Sequence, residues 1–341
     1  MMKIDLRSDT VTKPTEAMLQ AMVNAKVGDD VYGEDAAVNE LQAYAASLFN
    51  KDAALFCPSG TMANQIAIKV HTRPGNELIC ADNAHVYKYE GGGVASNSGV
   101  QLKLLPSIFG KIDASQIANA INADDIHFPA SKLVCLENTS NRGGGSCYKL
   151  QEMQAIHQAC KANHLSLHLD GARIFNAILH EKYSASQVGD CFDTISICLS
   201  KGLGAPVGSL LLGTTEFIKQ AKRVRKVFGG GMRQAGFLAA AGLYALNHHI
   251  NRLSVDHANA LQLLQLLQSV SWIKSVYPVA TNIVIFELKS VKDADKLHAY
   301  LIENTILCGK ISPDSLRMVF HLDITEEMVA ILLASLLKFK V

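Results

Sequence analysis

One lysine stands where a reactive amine would be useful. It closes the apolar run Thr194-Ile195-Ser196-Ile197-Cys198-Leu199-Ser200-Lys201 and is followed by Gly202-Leu203-Gly204-Ala205-Pro206-Val207-Gly208. The run has the length and β-branched content of a buried strand, and the glycines and proline behind it keep a helix from starting there. Lys201 is therefore expected at the carboxyl end of a strand, the edge at which open α/β sheets bind ligands. A desolvated amine at that edge loses its proton readily and becomes a nucleophile toward carbonyl carbon. Taken alone, the segment reads first as a solvated lysine capping a strand.

Other predicted strand ends carry complementary chemistry. The run Leu165-Ser166-Leu167-His168-Leu169 leads into Asp170-Gly171-Ala172-Arg173, which places a carboxylate at the same edge as Lys201. A strand-end lysine with a strand-end aspartate suits pyridoxal phosphate: the amine holds the cofactor aldehyde, and the carboxylate keeps the pyridine nitrogen protonated so that the ring accepts electrons. A strand at 53–57 is followed by Pro58-Ser59-Gly60-Thr61 and a helix to about His71. Such a turn gathers unpaired N–H groups at the positive end of a helix, so Ser59, Gly60 and Thr61 are expected phosphate ligands, although the same turn also serves as a plain helix cap. His85 lies just past a strand at 78–81, again at the carboxyl edge, where it reads either as a structural or as a catalytic group.

Stepping out from these positions, strands are predicted at 53–57, 78–81, 101–105, 132–136, 165–169, the run from Thr194 and 209–212, with helices at 36–49, 60–71, 113–123 and 149–163. The alternation predicts an α/β fold with one large cofactor-binding domain, residues 1–250, built on a mostly parallel sheet of about seven strands. Residues 1–13 read as irregular and 14–26 as a helix opened by Pro14. The loop Asp29 to Asp35 carries four carboxylates and reads as solvated, with Asp35 capping the next helix. The basic run Lys222 to Lys226 lies on a predicted helix, either as a solvated face or as a reach toward a neighbouring subunit's phosphate, and the Ala- and Gly-rich helix 232–248 reads as buried or interfacial. From 251 to 341 a small α+β domain is expected, with a strand at 282–288, a helix at 293–304, short strands near Leu307 and 316–320, and a helix at 325–338.

Composition narrows the function classes. With 32 basic against 31 acidic residues, the chain offers no electrostatic reason to bind nucleic acid or an anionic membrane. At 49% hydrophobic and 18% charged residues, part of its surface is expected to be covered by other subunits. The eight cysteines are scattered without a CxxC pair, which reads as buried thiols in a reducing compartment, and no metal ligand is assigned. No leader-like or membrane-spanning stretch is read, so a cytoplasmic protein is expected.

Several stretches together resemble the threonine aldolases of the low-specificity L type, members of the fold type I (aspartate-aminotransferase-like) pyridoxal phosphate enzymes. They are Asp5 to Thr12, Gly28 to Gly33, Pro58 to Asn64, Ile126-His127-Phe128, Glu137-Asn138-Thr139, His168 to Arg173, Ser200 to Gly208 and Gly229 to Gln234. The resemblance implies that Lys201 holds the cofactor, Asp170 pairs with its ring nitrogen, Gly60 and Thr61 hold its phosphate, and His85 stacks on the ring. It further implies that Ser8, Arg173 and Arg317 bind the substrate carboxylate, so that the two domains close on one amino acid. His127 matches a histidine near the substrate hydroxyl, and Lys226 and Arg233 match residues that reach a neighbour's site in a homotetramer. Ser140 stands where many relatives have a histidine, so no role passes to that position. The activity implied is cleavage of L-allo-threonine or L-threonine to glycine and acetaldehyde. The alternative is a β-eliminating lyase acting on cysteine-like amino acids.

Overall fold

Aliphatic and β-branched runs bounded by turn residues form the strands of the larger sheet, and a computed structural model describes residues 2–340. In chain order the strands are β1 (Ile4–Asp5), β2 (Ala53–Cys57), β3 (Glu77–Ala81), β4 (Gln101–Leu105), β5 (Ser131–Glu137), β6 (Ser166–Gly171) and β7 (Thr194–Cys198). They continue with β8 (Ser209–Gly213), β9 (Ile273–Val276), β10 (Ile283–Leu288), β11 (Ile306–Leu307), β12 (Gly309–Ser312) and β13 (Ser315–Val319). Seven of them form one sheet in the order β2-β8-β7-β6-β5-β3-β4. Only the β8 pairings are antiparallel, so β2 and β3 to β7 all present their carboxyl ends at one edge. This is the expected α/β sheet, with helices between its strands.

Register lines up the chemistry at that edge. Glu137 of β5 pairs with Asp170 of β6, and Asp170 pairs with Ser196 of β7. Laterally paired residues of parallel strands point to one face of the sheet, so these three polar side chains form a row. Close approach of β6 to β7 is possible because residue 171 is glycine: a Cβ there would stand 2.6 Å from the Ser196 backbone oxygen.

A smaller layer closes the other end of the chain. Strands β12-β13-β10-β9 make an antiparallel sheet with its own hydrophobic core, covered by the helices Leu253–Ser269, Val291–Glu303 and Glu326–Lys338. Two of its strands, β9 and β12, were not expected from the sequence. Ile273-Lys274-Ser275-Val276 and Gly309-Lys310-Ile311-Ser312 are short, partly exposed edge strands without the apolar alternation that announces a strand.

Three expectations fail on burial. Residues 1–13 are not wholly irregular: β1 pairs with β11, and Ile4 and Leu6 are buried in the smaller core, an alternation too short to read alone. The acidic loop 29–35 is not simply solvated, nor is the basic run 222–226. Asp30 and Arg225 form a 2.7 Å ion pair with both side chains 6% exposed, and Arg225 also donates to the Phe56 carbonyl oxygen at 2.7 Å. Asp35 does cap its helix by accepting from the Val38 N–H at 3.1 Å, and it accepts from the Gly236 N–H as well at 2.8 Å. That second bond marks the start of the small-residue helix Gly236–His248, which packs closely enough that a Cβ on Gly242 would crowd Leu199 and Leu41. All eight cysteines are buried free thiols. No helix among the described residues is long and apolar enough to cross a membrane.

Gly171→Ala is expected to cost about 1–3 kcal/mol by forcing β6 and β7 apart, read as a lower denaturant midpoint. An unchanged midpoint would mean that the strands have room for the methyl group.

Candidate active site

Three carboxylates meet where the sheet edge is deepest. Asp170 ends β6, Glu137 ends β5, and Glu90 follows the short helix His85–Lys88; all three are buried. Isolated buried anions are costly, so their partners define the site. Asn64, in the helix Gly60–His71, donates its amide to Glu90 Oε1 at 2.8 Å and to Asp170 Oδ2 at 2.9 Å. Gln65 donates to Glu90 Oε2 at 2.7 Å. His85 is pinned twice, its backbone N–H donating to Glu137 Oε2 and its Nδ1 lying 3.0 Å from Glu90 Oε1. Burial alone would depress the His85 pKa, but the Glu90 hydrogen bond and the charges of Asp170, Glu90 and Glu137 outweigh it and raise the value. Burial, reinforced by the charge of Asp170, pushes Glu137 up.

The turn after β2 lies against the lysine strand. Ser59 caps the following helix by accepting from the Met62 N–H at 3.1 Å, leaving the first-turn N–H groups of Gly60 and Thr61 at the helix end. A Cβ on Gly60 would come 2.6 Å from Cys198 Sγ, at the end of β7. Three residues beyond that cysteine is Lys201, partly buried, in a turn closed by the Gly204 N–H donating to the Lys201 carbonyl oxygen at 2.8 Å. The turn thus packs directly against the end of the strand that leads to Lys201.

Opposite the carboxylates lies a cationic group. Arg173 is buried and grips Asp9 with two hydrogen bonds, Nε to Oδ2 at 2.7 Å and an NH2 to Oδ1 at 2.6 Å. Burial works against ionisation of Asp9, yet the Arg173 charge and hydrogen bonds, with Lys201 and His321 nearby, hold its carboxyl at about 2. Arg317, on β13, donates to Asn141 Oδ1 at 2.8 Å and to the Arg7 carbonyl oxygen at 3.0 Å, while its buried Nε has no partner. Burial, and next the charge of Arg173, lower Arg317 to about 10, so it stays protonated at neutral pH. Ser8, next to Asp9 in the chain, accepts from the Thr10 N–H and donates its hydroxyl to Asp9 Oδ1 at 3.5 Å. Its unused buried donor leaves the Arg317 guanidinium able to take a further anionic acceptor.

The sequence pattern of the beta-eliminating lyases matches residues 5–290. The chain is 43% identical over 328 residues to the low specificity L-threonine aldolase of Escherichia coli (strain K12), covering 96% of each chain. The chain belongs to the beta-eliminating lyases and, within them, to the family of the low-specificity L-threonine aldolases. Low-specificity L-threonine aldolase 1 of Arabidopsis thaliana is 41% identical over 332 residues, covering 95% of this chain and 93% of that one. The solved structure of Leishmania major threonine aldolase shares the fold, with a TM-score of 0.87 at 21% identity over 98% of this chain and 99% of that one.

In this threonine aldolase family member the fold gathers Lys201, Asp170, His85, Ser59, Gly60, Thr61, Ser8, Arg173 and Arg317 around one sheet edge and the small sheet beside it. His127, Lys226 and Arg233 make none of these contacts within the chain. His127 has its side chain 79% exposed and pairs with Asp125 at 2.7 Å, flanked by exposed Ile126 and Phe128. Arg233 pairs with Asp29 at 2.9 Å, and Lys226 lies in the last turn of the helix Thr215–Val227. Sequence reasoning passed over Asp9, Asn64, Glu90 and Glu137 as site residues. Asp9, Asn64 and Glu137 lie inside quoted motifs, and Glu137 at a strand end was the readable signal; the others act through partners far away in the chain.

The Asp9–Arg173 pair yields a signed pH test. Because Asp9 is held below its ordinary value near 3.8, its stabilisation is complete above about pH 4 and is lost as pH falls through about 2. Asp9→Asn, which leaves Arg173 buried without a counter-ion, is expected to cost about 3–5 kcal/mol at pH 7. The gap between wild type and variant in denaturant titrations should hold from pH 5 to about pH 4 and shrink from there toward pH 2. A gap that is constant across that range would refute the pairing as its source.

Proposed function

We propose that the chain is a pyridoxal-phosphate-dependent carbon–carbon lyase that cleaves L-allo-threonine and L-threonine to glycine and acetaldehyde. The observation that carries the reading is the pairing of Asp170 with Asn64 at the sheet edge that also bears Lys201. The buried residues fit the cofactor by charge: Asp170, Glu90 and Glu137 create a negative pocket whose nearest basic side chain is His85, and a protonated pyridine nitrogen offsets it. Lys201 would hold the cofactor covalently, Asp170 would hold the proton on the ring nitrogen, Ser59, Gly60 and Thr61 would take the phosphate at the helix start, and His85 would lie on the ring. When bound, pyridoxal phosphate supplies a carbonyl for amine exchange and a ring that withdraws the electron pair of the broken bond.

The protein's own groups do the rest. Ser8, Arg173 and Arg317 bind the α-carboxylate of the substrate, Arg317 with the Nε that nothing else uses and Arg173 in an orientation locked by Asp9. His85 donates from Nδ1 to Glu90, so in the neutral ring Nε2 is the basic atom. Nε2 takes the β-hydroxyl proton as the Cα–Cβ bond breaks and releases acetaldehyde, and a proton equivalent to the one removed is returned to Cα to give glycine. The neighbouring carboxylates raise the basicity of His85, which suits that task. His127, exposed in this chain, is a second candidate for the hydroxyl side if the loop 124–128 meets another subunit. Lys226 and Arg233 complete a neighbour's site in a cytoplasmic homotetramer; exposed Val227 and Tyr32 beside them support a covered surface. The large domain, 1–250, and the small one, 251–341, close on the substrate from either side. The family's name favours one rival, β-elimination from a cysteine-like amino acid.

Aldehyde release from the four threonine stereoisomers, with pyridoxal phosphate added, tests the reading. Release from L-allo-threonine, with or without L-threonine, and from neither D isomer is expected, and Lys201→Ala should abolish it. Pyruvate and ammonia from cysteine, without aldehyde from any isomer, would establish the rival. Asp170→Asn should lower kcat by about a hundredfold or more while cofactor content falls far less; unchanged turnover would sink its assigned role.

A further inference from the structure

Behind Asn64, the helix and strands beneath Asp170 hold polar groups that the proposed chemistry does not use. Asn64, His168 and Thr194 are buried, and His71 is partly so. They connect without a break. Asn64 Oδ1 receives the Ser196 hydroxyl at 2.6 Å and lies 3.1 Å from His168 Nε2. His168 Nδ1 is 2.9 Å from Thr194 Oγ1, which is 2.8 Å from His71 Nε2.

Proton bookkeeping gives this chain one direction when the two carboxylates are ionised. Asp170 and Glu90 then only accept, so the group facing them must be the amide nitrogen of Asn64, with both its N–H bonds used. The carbonyl of Asn64 therefore faces His168 and requires a proton on Nε2. Burial, with His71 adding to it, drives the His168 pKa down to about 3, so the ring is neutral and its Nδ1 is bare. The Thr194 hydroxyl must donate to that Nδ1, and His71 Nε2 must donate to Thr194. Every donor points toward Asp170. Reversing the chain would turn the Asn64 carbonyl onto two carboxylates and force at least one of them to take a proton.

We propose that the His71–Thr194–His168–Asn64 chain is a positioning relay that holds the Asn64 amide in one orientation and so keeps an N–H donor on Asp170 and that carboxylate aimed at the cofactor's ring nitrogen. The inference rests on the reading of Asp170 given under Proposed function. His168 and Asn64 are positioning residues here, since neither touches the substrate. The charged and titratable groups facing Asp170 are Glu90 and His85 from the segment after β3 and Glu137 and the buried thiol of Cys135 from β5, and His168 lies on its own strand. Of the uncharged groups, Asn64 comes from the helix Gly60–His71 and Ser196 from β7.

The test uses the holoenzyme reconstituted with pyridoxal phosphate and three readouts: the Kd of the cofactor, the pH midpoint of its visible absorbance, and kcat against KM. His168→Leu removes the donor to Asn64, whereas His168→Gln carries an amide that can reach the Nε2 position and should rescue. Relative to wild type, His168→Leu is expected to weaken cofactor binding about tenfold or more, to move the absorbance midpoint and to lower kcat with KM within about threefold. His168→Gln should recover most of each change. Asn64→Asp, which sets a third acceptor against Asp170 and Glu90, should shift the midpoint further in the same direction. Equal losses in His168→Leu and His168→Gln would reduce the residue to packing and overturn the relay, as would wild-type midpoints and affinities in both His168→Leu and Asn64→Asp. If wild type itself shows no Lys201-dependent absorbance, the cofactor reading fails; if it does and the variants match it, the relay alone fails.

Discussion

Buried negative charge is the constraint around which this molecule is arranged. An ion withdrawn from water costs several kcal/mol even after relaxation, so three carboxylates at one sheet edge persist only if each has partners. Asn64 spans two of them, His85 is pinned by Glu90 through its ring and by Glu137 through its backbone, and the sheet register sets Glu137 beside Asp170. The same register demands a glycine at 171, because the neighbouring strand carbonyl occupies the space of a side chain. Backbone pairing, side-chain charge and residue choice are thus consequences of one requirement.

The opposite end of the site answers with positive charge. Arg173 comes from just beyond β6, Arg317 from β13, and the Asp9 that locks Arg173 comes from the first residues of the chain. The amino-terminal segment reaches the smaller core through Ile4 and Leu6, pairs with β11 and then turns back over the large sheet. It joins the two layers by passing through the site. Guanidinium groups and the anionic cluster thus give the site a field with two signs of charge.

Surface features outside the site follow a different logic. The basic run on the helix Thr215–Val227 is split by the packing of that helix: Arg225 turns inward to Asp30 and the Phe56 carbonyl, whereas Lys226 lies toward the glycine turn. A charge run read as one unit therefore divides into a buried structural clamp and an outward group. The loop Asp125 to Phe128 shows the converse, with apolar side chains held outside any core of the chain.

Local information was enough for much of this. The strands of the large sheet, the strand ends bearing Lys201, Asp170 and His85, and the turn at Ser59 and Gly60 all follow from runs of apolar residues and the turn residues that stop them, which act within a few positions. Tertiary structure alone decided who answers whom. Asp9 meets Arg173 across 164 positions, Asn64 meets Asp170 across 106, and Asp30 meets Arg225 across 195. It also decided that β9 and β12 exist, since edge strands take their order from a neighbour's backbone rather than from their own side chains. Periodicity reports which face of an element is apolar; the partner of a buried charge is chosen by the packing of the whole chain, and no window of sequence contains it.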